Sequence, residues 1–274
     1  MIPKLLFNIT QCKNFNSLTN KSSPLLPCNE IVNFQHGVGV NKINDFQIPE
    51  PWNGDIVNAP ILIISSNPAY SNDELYPDLS WPNEMIADFF INRFAKRGPF
   101  SWVEGHRVLN KNGSRGRVVN YWTNIQRRVD ELLGTIGSEP GKDYCITELV
   151  HCKSSSEIGV KTALPTCANL YLSGKYNISG ACIIIAVGSF VRDYYQNSPL
   201  INGLPVIYIP HPNARVPRNI SDHYSDEQIV TFRNHLKKCN PKNRDIQFSE
   251  INLPKLEDVN KFIQQKLKDN PMHN

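Results

Sequence analysis

Four short apolar runs are the feature that most constrains how this chain can fold. They are Ile61–Ser65, Tyr144–Leu149, Cys182–Val187 and Val206–Ile209. Mainly apolar runs of this length are typical of strands buried on both faces of a parallel sheet. Helical patterns lie between the runs, and strands that alternate with helices imply βαβ units with right-handed crossovers. We therefore expect an α/β chain, a three-layer α/β/α fold with a central, mainly parallel four-stranded sheet.

The helical patterns share an apolar face and recognisable ends. Pro82–Lys96 and Tyr121–Leu133 each place apolar residues at helical spacing and stop before a glycine. Ser225 and Gln228 form a capping-box signature at the start of a third helix. Leu256–Leu267 predicts a final amphipathic helix.

Composition divides the chain into three parts and indicates a globular protein, with 40% hydrophobic and 20% charged residues. Residues 1–58, rich in Asn, Pro and Ser, are expected to form an irregular N-terminal layer. Residues 59–240 are expected to form the α/β/α domain, and residues 241–274 a C-terminal extension with one helix, all within a single compact domain. No apolar run approaches the roughly 20 residues of a membrane helix, and no signal peptide is evident. We expect a cytoplasmic monomer without a membrane partner.

Positive charge is concentrated in one part of the sequence, although the whole chain carries a net charge of only +4. Between residues 91 and 128 there are nine basic side chains and a single acid, Glu104. This asymmetry favours a polyanion as partner, with a solvated basic surface as the plainer alternative. The basic residues are Arg93, Lys96, Arg97, Arg107, Lys111, Arg115, Arg117, Arg127 and Arg128.

Ligands of a parallel sheet bind at the carboxyl ends of its strands, so chemistry is expected in the segments that follow the four runs. These are residues 66–70, 150–153, 188–189 and 210–215. None carries Gly-x-Gly-x-x-Gly, a P-loop or Gly-x-Ser-x-Gly, which argues against dinucleotide, nucleoside-triphosphate and α/β-hydrolase chemistry. We therefore expect no nucleotide cofactor.

Taken in order, four strand-and-loop segments resemble the uracil-DNA glycosylase superfamily. ILIISSNPAY is similar to the family's first catalytic motif, and YCITELVHCKS to its second strand. CIIIAVGSFV is similar to the strand that packs beneath the site, and VIYIPHPNAR to the His-Pro motif that closes it. The resemblance implies a DNA N-glycosylase. Such an enzyme hydrolyses the bond between the sugar and a uracil, or a modified or damaged base, flipped out of single- or double-stranded DNA.

The resemblance implies catalytic roles for Asn67 and His211. Glycosidic cleavage passes through a sugar cation and a base that leaves with negative charge. Asn67 matches the family residue that orients the attacking water, and His211 matches the donor to the departing base. Taken singly, Asn67 also suits a turn after a strand, and His211 a hydrogen-bonded loop.

Two residues depart from the family pattern and bear on which base is removed. Glu148 stands where the family usually has Asn, whose amide reads the edge of uracil. An ionised carboxylate only accepts hydrogen bonds, so Glu148 either favours a base with an exocyclic amine or is protonated. Ala69 stands where the strictest uracil enzymes have Tyr, which leaves room for a substituent at C5 of the base.

Further binding residues follow from the same resemblance. An aromatic face is expected for the flipped base, with Tyr70, Tyr76 and Trp81 as candidates. Asn213 and Arg215 match positions that contact phosphates, and the Gly- and Asn-rich basic stretch would form a mobile arm along the DNA backbone. The basic residues of this arm are Arg107, Lys111, Arg115 and Arg117.

The seven cysteines leave two states open. With no export signal evident, a disulfide framework is not expected, and Cys182 in its apolar run is predicted to be a small core residue. Some thermophile-type members of the superfamily hold an iron–sulfur cluster, and Cys152 and Cys167, 15 residues apart, match one pair of its ligands. Cys12 and Cys28 lie 16 residues apart rather than as Cys-x-x-Cys, which favours four unligated thiols and no metal.

Two other functions stay open from the sequence. One is a nucleic-acid-binding member of the same superfamily without catalysis, in which Glu148 has removed base recognition. The other is an unrelated Rossmann-like hydrolase or transferase that uses His211 and Glu148 as acid and base on a small anionic substrate. Steeply salt-dependent DNA binding would separate this last protein from the other two.

Overall fold

The computed structural model describes residues 2–19, 26–40, 45–212, 214–239 and 252–269. Strands and helices alternate through the middle of the chain, as the apolar runs predict. The helices are α1 (Ile2–Thr10), α2 (Lys13–Thr19), α3 (Asn29–Gly37), α4 (Asn83–Ile91), α5 (Asn120–Leu133), α6 (Val160–Ile178), α7 (Ser189–Tyr194), α8 (Asp226–Lys238) and α9 (Leu256–Asp269). The strands are β1 (Ile61–Ser65), β2 (Val103–Glu104), β3 (Arg107–Leu109), β4 (Arg115–Val118), β5 (Tyr144–Glu148), β6 (Ile183–Val187), β7 (Leu200–Ile201) and β8 (Leu204–Ile209).

The central sheet has the strand order β5-β1-β6-β8-β7 within the described residues. β5, β1, β6 and β8 run parallel to one another, which confirms an α/β fold with a mainly parallel sheet. The strand count differs from the prediction because β7 pairs antiparallel with the edge of β8. A strand of two residues is too short to produce the alternation by which strands are recognised in sequence.

Helices cover both faces of this sheet, and successive residues of each strand face opposite layers. In β1, Leu62 and Ile64 belong to one core, with residues of α1 to α4, α6, α7 and α9. Ile61 and Ile63 belong to the other core, with residues of α5 and α8. Burial on both faces explains why these strands are apolar at most positions, apart from polar residues such as Ser65, Thr147 and Glu148 near the ends of β1 and β5, rather than at alternate positions.

The N-terminal part is helical where the sequence analysis expected irregular structure. Leu6 of α1, Phe15 of α2 and Ile31 of α3 are fully buried, and the Tyr171 hydroxyl of α6 donates to the Asn8 carbonyl oxygen at 3.0 Å. Helices of seven to nine residues are marginal in isolation and are stabilised chiefly by packing. The polar sequence of this part gave no periodic signal for them.

α5, α8 and α9 lie close to the predicted positions, whereas α4 ends earlier than predicted, and α6 and α7 were not predicted from sequence. The Ser225–Gln228 capping box is present in full, and Gly134 ends α5 in the left-handed conformation, with φ +70°. α4, however, ends at Ile91, so that Arg93 leaves the helix. No helix in the described ranges is long and apolar enough to cross a membrane.

Cys182 is not the unpaired core residue that its apolar run suggested. It forms a disulfide with Cys239, with their Cα atoms 6.1 Å apart, a usual distance for such a bridge. The bond joins the start of β6 to the end of α8. Sequence could not indicate it, because the two residues are 57 positions apart and the pairing depends on how α8 packs.

Candidate active site

A cavity of about 270 Å³ opens where the segments after β1, β5 and β8 meet. This is the edge of the sheet at which the sequence analysis placed the chemistry. Five residues singled out from sequence line it together: Asn67, Ala69, Tyr70, Glu148 and His211. They lie as many as 144 positions apart in the chain, so the fold brings them to one place.

The amide of Asn67 has a fixed orientation at the wall of this cavity. Its Nδ2 donates to the Pro68 carbonyl oxygen at 3.2 Å and to Ser154 Oγ at 3.1 Å. Ser154 Oγ in turn donates to the Ile158 carbonyl oxygen at 2.9 Å, so it can only accept from Asn67. Both hydrogen bonds are donated by Nδ2, so Oδ1 of the side-chain amide is the atom that can accept a hydrogen bond from a water molecule.

His211 lies at the mouth of the cavity, directly after β8. Gly188, with φ +89° at the end of β6, lies beside it, and a Cβ built there would be 3.7 Å from that of His211. The Tyr121 ring lies 5.9 Å from the imidazole at an angle of 35°. Burial lowers the pKa of His211 below its ordinary value, although Glu157 acts in the opposite direction. His211 is therefore neutral at pH 7 and carries one N–H that can donate.

Glu148, the last residue of β5, is 3% exposed and pairs in register with Ser65. No hydrogen bond or ion pair joins its carboxyl group to another described residue, and Oε2 is fully buried. Burial, with repulsion from Glu50, raises the pKa of Glu148 well above the ordinary range. Burial and the like charge of Glu50 therefore favour the uncharged form of the carboxyl group that lines the cavity.

A buried ion cluster, consisting of Glu50, Glu74, Arg93 and Lys153, forms the floor of the cavity. Arg93 pairs with Glu74, and Lys153 Nζ lies 3.8 Å from Glu50 Oε2 and 3.6 Å from Glu74 Oε2. Burial alone would raise the pKa of Glu74, but Arg93 and Lys153 lower it. The sequence analysis missed this cluster, since four residues spread over a hundred positions share no motif. Arg93 within the apolar run FFINRF is the signal that could have indicated a buried charge.

The aromatic candidates divide between the cavity and the core. Tyr70 lines the cavity, but the predictions for Tyr76 and Trp81 are wrong. Trp81 is 4% exposed and packs on Trp102 in the core, and Tyr76 lies behind the cavity wall, where its hydroxyl donates to Glu50 Oε2 at 3.1 Å. Tyr121, at the start of α5, is the aromatic residue beside His211 that the sequence analysis overlooked, because it searched only the segment after the first motif.

The predicted mobile arm is a three-stranded antiparallel meander, β2-β3-β4. Arg107 and Arg117 are exposed on it, whereas Lys111 and Arg115 are partly buried. Arg115 Nη1 donates to the Ser101 carbonyl oxygen at 2.7 Å, and its Nε lies 3.4 Å from Glu104. Backbone bonds from Lys111 to Asp73 and from Leu75 to Leu109 fasten the meander to the segment after β1.

The positive surface is smaller than the sequence count suggested, because several basic residues of the stretch 91–128 are paired with carboxylates. Arg93 is buried against Glu74, Arg97 Nη1 lies 2.6 Å from Asp88, and Arg128 lies 3.5 Å from Glu131. Beyond His211, Arg215 and Arg218 are exposed. Asn213, the other predicted phosphate contact, lies outside the described residues.

The four cysteines considered as cluster ligands are brought together, and we call them the cysteine cluster. Cys12, Cys28, Cys152 and Cys167 are all buried, and together with His151 they line one small cavity that is separate from the active-site cavity. The Cys152 thiol donates to Cys28, which lowers the pKa of Cys28 and raises that of Cys152. Burial raises the pKa of Cys167 to about 12. Among the described residues, no group of three or more His, Cys, Asp or Glu side chains is arranged around a single ion.

Comparison with known proteins adds no relative to this description. No protein-family model matches the chain, and no curated protein matches it significantly.

Proposed function

We propose that the chain is a DNA N-glycosylase that hydrolyses the bond between deoxyribose and an extrahelical base, in the manner of the uracil-DNA glycosylase superfamily. The observation that carries the proposal is the meeting of Asn67, Glu148 and His211 around one cavity at the carboxyl ends of the strands. Each residue was named from sequence as part of a separate motif. Their convergence supports a shared site rather than three unrelated loop residues.

The reaction divides between these side chains as follows. The bond from C1′ to the base nitrogen breaks, and its electron pair leaves with the base, so the sugar becomes cationic and the base anionic. His211 donates its N–H to the departing base as negative charge develops. Asn67 Oδ1 accepts from the water whose oxygen bonds to C1′. The proton released by that water ends on the base.

The site also suits an extrahelical base for reasons of shape. Tyr70 and Tyr121 offer aromatic faces in the cavity wall, and Ala69 leaves space beside them. Arg107 and Arg117 on the meander, with Arg215 and Arg218 beyond His211, supply exposed positive charge on segments that border the mouth. Contacts between such residues and phosphates give affinity without sequence preference.

The cysteine cluster supports a second element of the proposal, an iron–sulfur cluster held by Cys12, Cys28, Cys152 and Cys167. The spacing of the N-terminal pair argued against it, but the fold joins residues 12 and 28 to the other two. Four cysteine thiolates are the ligand set of such clusters, and they would be shared among more than one iron, so an arrangement suited to a single ion is not required. The cluster would act in folding, away from the bond that breaks.

Base release from a panel of oligonucleotides tests the proposed activity. Substrates carrying uracil, C5-substituted uracils, cytosine derivatives and oxidised bases are incubated with the protein, and abasic sites are detected by alkaline strand cleavage. We expect release of at least one base, with Asn67→Ala and His211→Ala each slowing it by about 10² to 10³. DNA affinity should stay nearly unchanged, because it derives from phosphates.

Each outcome of this experiment has a distinct meaning. DNA binding without release of any base would favour the non-catalytic DNA-binding protein. Absence of salt-dependent DNA binding would favour the small-substrate enzyme. Full activity in the Asn67 and His211 variants would show that the reaction takes place elsewhere.

A further inference from the structure

The carboxyl group of Glu148 is the group in the cavity that most requires a ligand. It is nine-tenths buried or more, it lines the cavity, and neither oxygen is bonded to another described residue. A buried polar group without a partner destabilises the fold, and an unpaired buried charge destabilises it more. Glu148 therefore has hydrogen-bonding capacity that the rest of the protein leaves for a bound molecule.

The charged groups around Glu148 are committed to other partners. Lys175 of α6 donates through Nζ to the Thr147 hydroxyl at 3.3 Å and to the backbone carbonyl of Glu148 at 2.5 Å, not to its carboxyl group. Lys153 and Arg93 pair with Glu50 and Glu74. These cations lower the pKa of Glu148, but burial and the Glu50 carboxylate outweigh them and raise it.

The other titratable groups near Glu148 add no charge that would favour its ionised form. Tyr121 of α5 and Cys145 on β5 itself both interact with the carboxyl group, and both are neutral at pH 7 because burial raises the pKa of each. The neighbour on β1, Ser65, does not titrate. Among the described residues, Glu148 thus experiences the like charge of Glu50 and forms no ion pair with a cation, which favours the uncharged acid.

We propose that Glu148 binds the extrahelical base as a neutral carboxylic acid. In this form it recognises a pyrimidine edge with one hydrogen-bond donor and one acceptor at N3 and C4, whichever of the two positions carries the donor. This inference rests on the proposed function and names its substrate class: pyrimidines with either a carbonyl or an amine at C4. A neutral acid offers one O–H donor and one acceptor oxygen. Because neither oxygen is held by a neighbour, the proton can lie on either of them.

The two pyrimidine edges then bind in mirror-image fashion. Uracil donates N3–H to the acid's carbonyl oxygen and accepts its O–H at O4. Cytosine donates from its exocyclic amine and accepts the O–H at N3. A side-chain amide that its neighbours hold in one orientation can pair with only one of these two edges. An ionised carboxylate has no donor, so one of its oxygens would face the acceptor atom of either base. Glu148 in place of an amide therefore broadens recognition at C4, while Ala69 leaves space at C5.

Binding of single-stranded oligonucleotides with one 2′-fluorinated target nucleotide tests this inference. The fluorine slows cleavage, so affinity reports recognition rather than the quality of the leaving base, and single strands remove the cost of unpairing. The affinity for each base is divided by that for the same strand with an abasic analogue. We expect uracil and cytosine to differ by less than about tenfold, the size of one net hydrogen bond, and a larger difference would overturn the either-order recognition.

Two variants test the role of the acid. Glu148→Leu should lose more than about tenfold of the base-dependent affinity for both bases. Glu148→Gln, which keeps one donor and one acceptor, should bind both about as well as the wild type at neutral pH. Unchanged affinity in Glu148→Leu, with a normal unfolding transition, would show that Glu148 does not touch the base.

The pH profile separates the neutral acid from the carboxylate. The ratio of wild-type to Glu148→Gln affinity should be flat from pH 6 to 7.5, since a neutral acid does not change charge there. A ratio that falls by up to tenfold per pH unit in this range would mean that Glu148 is ionised, and would overturn the inference.

Base release by the wild type from the matching unfluorinated strands is measured in parallel. No release from any strand means that the proposed activity fails. Release from at least one strand, together with base-dependent affinities for uracil and cytosine that differ by more than about tenfold, means that the inference alone fails.

Discussion

At the scale of single residues, the orientation of Asn67 depends on one hydroxyl group. Ser154 Oγ gives its proton to the Ile158 carbonyl oxygen and accepts from Asn67 Nδ2, so the amide cannot rotate without losing a bond. The loop that supplies Ser154 also holds Ser156 and Glu157 at positive φ, a conformation that is costly for residues with side chains. Strain of this kind beside a cavity is consistent with a loop shaped for a site.

Replacement of Ser154 should therefore impair the reaction without impairing DNA binding. We expect Ser154→Ala to lower the single-turnover rate of base release by about tenfold, the size of one net hydrogen bond, with DNA affinity unchanged. Ser155→Ala is the matched control, because the adjacent side chain makes no bond to Asn67. A loss of DNA affinity in step with the rate, or an equal loss in the control, would contradict a positioning role.

The residues of the site divide by how they could be found. Asn67, Glu148 and His211 were expected from segments that resemble the uracil-DNA glycosylase motifs, and each lies within two residues of a strand end, where the ends of parallel strands meet by topology. Glu50, Arg93 and Tyr121 were missed because their place depends on how α4, α5 and the N-terminal segments pack against the sheet. Trp81 was predicted to contact the base because it follows the first motif in sequence, but it packs in the core. Proximity in sequence does not determine whether an aromatic ring points into the cavity or into the core.

At the scale of elements, the meander β2-β3-β4, which is separate from the central sheet, matters most for the proposed binding of DNA. Val108, on the strand β3 that also carries Arg107, lines the cavity, so the meander forms part of its wall. Arg107 and Arg117 are exposed and make no ion pair with another described residue. The element thus presents positive charge beside the place where an extrahelical base would enter.

Reversal of these two charges should weaken DNA binding equally for all sequences. For Arg107→Glu with Arg117→Glu we expect a lower affinity, and a salt slope flatter by roughly 0.7 to 0.9 for each phosphate that the variant no longer neutralises. The control is Lys142→Glu with Lys238→Glu, which removes the same charge from the region where β5 and β6 begin, at the opposite edge of the sheet. Equal effects of the two pairs would indicate a response to net charge alone, without a DNA path over the meander.

The elements that were predicted well from sequence are those whose own residues carry a recognisable pattern. The four parallel strands matched within two residues at each end, since a strand buried on both faces is apolar at most of its positions. α5 and α8 also matched, because each carries an apolar stripe and a recognisable cap. Helices α1 to α3 are stabilised by contacts with α6 and other distant parts of the chain, and no local pattern encodes such contacts.

At the scale of the whole molecule, the cysteine cluster joins the N-terminal helices to the α/β core. Cys12 lies between α1 and α2 and Cys28 directly precedes α3, whereas Cys152 follows β5 and Cys167 belongs to α6. A group bound by all four would restrain segments that are as many as 155 positions apart. Ligands that bind the folded state and not the unfolded chain stabilise the fold by mass action.

Purification without oxygen should yield a brown protein with absorbance at roughly 400 nm, as is typical of iron–sulfur clusters. We expect Cys28→Ser to lose this colour and the bound iron and to unfold at a lower temperature, because one ligand of the set is gone. Removal of the iron with a chelator should lower the unfolding temperature of the wild type in the same way. The matched control is Cys145→Ser, since Cys145 is as deeply buried but lies on β5 outside the cluster. Its variant should keep both colour and iron. A colourless wild type with no iron would mean that the four thiols are unligated, and the N-terminal helices would then be held by apolar packing and by hydrogen bonds such as that from Tyr171 to Asn8.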